Sequence, residues 1–152
     1  MENTTGIFGT DMKPKFIDYY MKIAEVTSTL SYAKRLQVGA VIVKDNQILA
    51  TGYNGMPSGW ENVCEHEVEG ELKTKPEVLH AETNAIAKVA QSTESSMGST
   101  LFCTHAPCIE CAKLIYQSGI TTVYYKEEYR SDAGLNFLKL SGVNVHQYTY
   151  SI

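Results

Sequence analysis

Apolar side chains recur every three or four residues at Phe16, Tyr19, Tyr20, Ile23, Ala24, Thr27 and Leu30, which predicts a helix over 12–30. Asp11 stands where a capping side chain belongs, and Pro14 falls in the first turn. The pattern then turns continuous. VGAVIV at 38–43 is rich in β-branched residues, and QILATGY follows after Lys44-Asp45-Asn46-Gln47. Two such runs joined by a short polar link predict an antiparallel hairpin. Residues 54–78 keep neither period and hold Gly55, Pro57, Gly59, Gly70 and Pro76, so they read as a long loop. A loop of that length in a compact domain is usually functional. From His80 to Gln91 helical spacing returns, with Ala81, Ala85, Ile86 and Val89 on one side. A strand at 99–104, a helix at 108–118 ended by Gly119, a strand at 120–125, a helix at 132–141 ended by Gly142 and a strand at 143–148 complete the chain.

Strands that alternate with helices after a hairpin imply parallel neighbours joined by right-handed crossovers. The expected fold is α/β with three α/β/α layers, a mixed five-stranded sheet between helices. Sites in open α/β sheets lie beyond the carboxyl ends of the strands. Here those ends lead to the helix starts at His80 and Cys108.

The 152 residues fit one domain, 1–152, long enough to bury a core without disulfides. The 13 Lys and Arg against 17 Asp and Glu leave a net charge of -4. With no basic block, that balance argues against gripping a nucleic acid backbone, though not against a local pocket for one small anion. No apolar run approaches the roughly 18 residues of a membrane span. MENTTGIFGTDMKPKF lacks a basic start followed by an apolar stretch, so the expected location is cytoplasmic, where disulfides are rare. The four cysteines, Cys64, Cys103, Cys108 and Cys111, then point first to metal or catalysis. Cys103, inside TLFCT, reads as a small buried hydrophobe, and Cys64 is undecided.

Two motifs carry chemistry: HAETNAI from His80 and PCIEC from Pro107. The i, i+3 spacing of Cys108 and Cys111 lets two sulfurs meet one tetrahedral ion, and His80 supplies a third ligand. Both motifs sit at predicted helix starts, where the dipole favours thiolate. Three protein ligands leave one position for water, the mark of a catalytic rather than a structural zinc. Two thiolates cancel the dication's charge and weaken it as a Lewis acid, so a nearby base would help. Glu82, two residues from a ligand, fits that role. Singly, each piece has an ordinary explanation: a satisfied His, a redox CxxC, a Glu decorating a helix start. Together, H-x-E followed by P-C-x-x-C is a recorded signature of zinc nucleobase deaminases.

With VGAVIV at 38–43, GYNGMP at 52–57, HAETNAI at 80–86, THAPCIECAKLIYQSGI at 104–120 and VYYKEEYR at 123–130, the sequence resembles the cytidine deaminase superfamily. Within it the sequence resembles the deoxycytidylate (dCMP) deaminases over nearly its whole length. The resemblance implies hydrolysis of dCMP to dUMP and ammonia, supplying dUMP for thymidylate synthesis. It implies one Zn²⁺ per chain on His80, Cys108 and Cys111, with Glu82 as acid–base. It also implies that backbone groups beside Ala81 and Cys108 orient the pyrimidine. Arg35 matches a phosphate-side Arg, or else is a solvated charge at a helix end. Tyr129 matches a substrate-side Tyr, or else packs on the sheet, and Asn54 faces the deoxyribose or holds a turn. Cys64 and His66 remain from a second zinc site of some members, but Ala33 stands where those members have a Cys. The resemblance further implies a homohexamer activated by dCTP and inhibited by dTTP, usually with Mg²⁺. The 54–78 loop, with Asn54, Gly55, Glu61, Asn62 and His66, is the candidate effector site, or else only a lid. Rival readings are a free-cytidine or tRNA adenosine deaminase, and a non-catalytic zinc module closed by Cys64, Cys103 or His105.

Overall fold

The computed structural model describes residues 12–150. Its first helix, α1, spans Pro14–Ser28, with Lys13 at the N-cap and Pro14 in the first turn. The predicted cap Asp11 lies outside the described residues. The buried stripe of α1 is Tyr20, Met21, Ala24 and Thr27, whereas Tyr19 and Leu30 are exposed. The stripe therefore sits slightly off the predicted one, because the helix packs on a single sheet face.

Strands β1 (Gly39–Lys44) and β2 (Gln47–Tyr53) form the expected hairpin. Asp45 and Asn46 both take positive φ, as a two-residue primed turn requires. Then the structure departs from the sequence reading. Within 54–78 it places a second hairpin, β3 (Glu65–Val68) and β4 (Glu71–Thr74), turning on Glu69 and Gly70 at positive φ. Only Glu65 of its eight strand residues is buried. Strands exposed on both faces carry no alternation of apolar and polar residues, so periodicity has nothing to detect. The Glu-Gly turn was the remaining signal.

Helix α2 (Ala81–Ala90), strand β5 (Thr100–His105), helix α3 (Ile109–Gln117), strand β6 (Thr122–Glu127), helix α4 (Ala133–Leu140) and strand β7 (Asn144–Gln147) follow in the order the sequence predicts. The main sheet runs β2-β1-β5-β6-β7, antiparallel at β1 and parallel from β5 onward, a mixed five-stranded sheet.

Period-two alternation divides the core. Ala40, Ile42, Leu101, Cys103 and Val123 face α2, α3 and α4, while Val41, Val43, Phe102 and Tyr124 face α1. On the α1 face, Phe102 and Tyr124 stack at 4.9 Å and 6°. Burial from both sides explains why β1 reads as an uninterrupted apolar run. Among the described residues, no helix is long and apolar enough to cross a membrane.

Two glycines set the layer spacing. A Cβ on Gly39 would run into the carbonyl oxygen of Ala24 in α1, and one on Gly52 into that of Ala81 in α2. These obstacles are backbone, so they yield only if a helix moves. Gly52→Ala should therefore displace the start of α2 and cost about 1–3 kcal/mol, a fall in Tm of roughly 2–10 °C by thermal melt. An unchanged Tm would show that α2 shifts freely.

Candidate active site

Because β1 is antiparallel to β2 and β5, one edge of the sheet collects the segment before β1 and the segments after β2, β5 and β6. The start of α2 docks at the same edge. Asn84 Nδ2 donates to the Tyr53 carbonyl at 2.8 Å, and Lys88 Nζ to the Thr51 carbonyl at 2.7 Å. These bonds pin α2 along β2. Gly39 N–H donates to Thr104 Oγ1 at 3.1 Å, tying the start of β1 to the end of β5.

His80 and Cys108 are the N-cap residues of α2 and α3, both in extended backbone and neither using its side chain as a cap. Cys111 lies three residues on, within the first turn of α3. The result is a cluster in which the ligand atoms of His80, Cys108 and Cys111 all lie within 4.8 Å of one another. His80 Nδ1 stands 3.1 Å from Cys111 Sγ and 3.6 Å from Cys108 Sγ. Bond lengths of about 2.0 Å to nitrogen and 2.3 Å to sulfur put tetrahedral N···S separations near 3.5 Å, so the trio fits zinc. Cys111 is buried, while Cys108 is half-buried and His80 exposed, which leaves the cluster open on one side. Among the described residues this is the one such group. Cys64, Cys103 and His105, the fourth ligands a closed site would need, do not join it. Cys103 Sγ instead reaches the Tyr124 carbonyl at 3.6 Å, and Thr104 Oγ1 lies 2.9 Å from His105 Nδ1.

The electrostatics suit metal binding. Cys108 is held down to about 3, first by a hydrogen bond from Cys111 and next by one from His80. Cys111 is pushed up, first by that same hydrogen bond and then by burial. The two sulfurs thus share one proton. His80 is raised, chiefly by its bond to Cys108.

Glu82 is 4% exposed, and burial pushes its carboxyl up to about 7. Its own backbone N–H and the His80 charge oppose that rise without cancelling it. A group poised near neutrality can both take and give a proton.

The cluster opens into a cavity of about 400 Å³, within the roughly 300–1,000 Å³ of small-ligand sites. Of the residues singled out in the sequence, His80, Cys108, Glu82, Ala81, Arg35, Asn54 and Tyr129 line it. Cys111 sits behind the wall. Asn54 is largely occupied with backbone: Oδ1 accepts from Val38 N–H at 2.8 Å and Nδ2 donates to the Leu36 carbonyl at 2.8 Å. It therefore shapes the 36–38 segment as well as the cavity. Arg35 Nη1 donates to Thr74 Oγ1 at 2.9 Å, and the Lys34 and Arg35 N–H groups donate to buried Glu65. The unforeseen β3–β4 hairpin thereby fixes the loop that carries Arg35. Tyr129 also packs against the core beneath α2–α4.

Of the candidate effector residues, only Asn54 lines the cavity. Gly55 bridges Leu79 through both backbone groups, and Glu61, Asn62 and His66 are exposed away from the cavity wall. Cys64 is buried in the cavity wall, and burial pushes its thiol up. Sequence reasoning missed Arg130, and it saw His105 only as a possible metal ligand; both line the cavity. His105 ends β5 and Arg130 lies three residues past the end of β6, and that position at the carboxyl edge was the available signal.

An open three-ligand cluster at the carboxyl edge of an α/β/α sandwich places the chain among the zinc-dependent base deaminases. The profile of the family described as the cytidine and deoxycytidylate deaminase zinc-binding region matches residues 14–127, and the chain belongs to that family. Its fold matches the crystal structure of dCMP deaminase from cyanophage S-TIM5 in complex with dCMP and dUMP with a TM-score of 0.86, at 50% identity over 91% of this chain and 100% of that one. It is 35% identical to the deoxycytidylate deaminase of Mycobacterium phage D29, covering 76% of this chain and 98% of the relative. Identity to the deoxycytidylate deaminase of Saccharomyces cerevisiae is 33% over 147 residues, 92% of this chain. The chain spans only 47% of that yeast protein.

Proposed function

We propose that the chain is a deoxycytidylate deaminase that converts dCMP and water to dUMP and ammonia. The observation that carries this reading is Glu82, buried beside the His80–Cys108–Cys111 cluster at the floor of a cavity that Arg35 also lines. The cyanophage and D29 relatives support the choice of substrate. When bound by His80, Cys108 and Cys111, zinc supplies Lewis acidity that makes water a better nucleophile at neutral pH. Glu82 takes the proton that water loses as its oxygen bonds to C4 of the ring. It delivers that proton to N3, then takes the remaining hydroxyl proton at C4 and passes it to the amine as the C4–N bond breaks and the C4 carbonyl forms, so one carboxylate serves both transfers. Its elevated pKa favours that double duty. Ala81 and Val38 give the ring apolar walls, and Arg35 meets the 5′-phosphate at the cavity mouth.

Four free thiols fit a reducing, cytoplasmic setting. A homohexamer regulated by dCTP and dTTP with Mg²⁺ remains part of the proposal on the strength of the sequence resemblance. The test is ammonia release from dCMP, CMP, deoxycytidine and dCTP by the zinc-loaded chain, with and without dCTP and dTTP as effectors. dCMP should be preferred, with a sigmoidal response that dCTP makes hyperbolic and dTTP suppresses. Preference for deoxycytidine would overturn the nucleotide reading, and a hyperbolic curve unmoved by either triphosphate would remove the regulation alone. Arg35→Ala should lower kcat/KM on dCMP by about ten- to a hundredfold, the worth of a hydrogen bond to a charged group, and affect deoxycytidine much less. Equal losses on both would make Arg35 a structural residue.

A further inference from the structure

Arg130 has no part in the account above, yet it shares the cavity wall with Arg35. It sits between β6 and α4, just past the carboxyl end of β6. Its guanidinium rests over the ring of Tyr129, 5.6 Å from the centroid, and that ring is packed against the core. Among the described residues no carboxylate pairs with it, although Glu127 and Glu128 are close in sequence. Glu65 of the same wall is buried and holds the Lys34 and Arg35 N–H groups; it keeps its negative charge, which the two guanidinium groups of Arg35 and Arg130 outweigh. The mouth is thus locally basic in a chain of net charge -4. An anion entering there meets two guanidinium groups from separate elements.

The proposed chemistry orients the ligand. C4 of the pyrimidine must reach Glu82 and the metal cluster, so the sugar and its 5′-phosphate extend toward the exposed residues at the mouth. A phosphate monoester carries about -1.5 to -2 at pH 7. One arginine leaves much of that charge unbalanced, and two match it. Guanidinium forks suit the phosphate oxygens geometrically as well as electrically.

We infer that Arg130 is a second phosphate-binding residue, closing on the 5′-phosphate opposite Arg35 and selecting nucleotides over nucleosides. The inference rests on the proposed deaminase reading for the direction in which the ligand lies. The test compares equilibrium binding of dUMP and deoxyuridine by calorimetry, using the zinc-loaded full chain as wild type, Arg130→Ala and Arg130→Lys. The affinity ratio of dUMP to deoxyuridine should fall about tenfold or more in Arg130→Ala, the value of a charge-assisted hydrogen bond, with partial recovery in Arg130→Lys. Deoxyuridine affinity should shift little. An unchanged ratio would overturn the assignment, as would a parallel loss of both ligands or a wild type that binds dUMP no better than deoxyuridine. Turnover of dCMP by the wild type reads the deaminase proposal separately: its absence overturns that reading, whereas only the binding ratio decides Arg130.

Discussion

Glu82→Gln is expected to keep the fold and the zinc while losing about 10²–10⁴-fold in turnover of dCMP, the usual worth of a positioned acid–base. Gln matches Glu in shape and still accepts the Glu82 backbone N–H, but it neither takes nor returns a proton. The side chain is 4% exposed, so bulk water has little access to replace it. Single-turnover rates with zinc content measured on the same sample separate loss of proton transfer from loss of metal. Turnover near wild type in a fully loaded variant would remove Glu82 from the mechanism.

The same substitution carries a stability prediction of opposite sign. Burial raises the Glu82 carboxyl to about 7 in the folded chain, above its ordinary value of 4.5. A carboxyl raised on folding binds its proton more tightly in the native state. Its contribution is therefore most favourable below about pH 4.5, declines as pH climbs toward 7, and is flat beyond. The shift corresponds to a cost of up to about 3 kcal/mol at pH 8 for the metal-free chain. Gln has no charge to bury. In chelator, Glu82→Gln should melt above wild type at pH 8, and the gap should close near pH 5. A gap independent of pH would trace the gain to packing instead of ionisation.

The elements legible in the sequence are those whose burial imposes a period. β1, β5 and β6 are covered on both faces and read as apolar runs, and the buried sides of α2 and α3 read as helical spacing. Signal disappears where burial does. The β3–β4 hairpin is almost entirely exposed, yet Glu65 of β3 holds the loop carrying Arg35, so a functional anchor lay in a stretch that reads as a loop. The metal cluster was legible for another reason: Cys108 caps α3 and Cys111 lies in its first turn, so local geometry pairs the two sulfurs, and His80 caps α2 in a motif of its own. Arg130 and Arg35 are 95 positions apart in sequence, and only the order of strands in the sheet brings them to one edge. Of the candidate effector residues from Asn54 to His66, Asn54 lines the cavity, while Glu61, Asn62 and His66 are exposed and outside its wall.

Removing a ligand tests the cluster itself. Apparent zinc affinities of about 10–16 kcal/mol over four protein ligands average roughly 3 kcal/mol for each. Cys108→Ala, which leaves His80 and Cys111, should therefore weaken zinc by about a hundredfold or more, measured by competition with a chromophoric chelator. Cys108 is the sulfur held as thiolate, down to about 3, while Cys111 keeps the shared proton. Zinc uptake by wild type must displace that proton, so wild-type affinity should rise with pH. The variant loses the sulfur whose pKa is held low and, with it, the hydrogen bond that raises Cys111 most, so its weaker zinc binding reflects the missing ligand. Zinc that binds only the native state stabilises it by RT ln(1 + c/Kd) at free zinc concentration c, and so raises Tm. Wild type should accordingly melt lower after chelation, whereas Cys108→Ala should melt at one temperature with or without micromolar zinc. Equal zinc-induced shifts in both proteins would mean that the metal sits elsewhere in the chain.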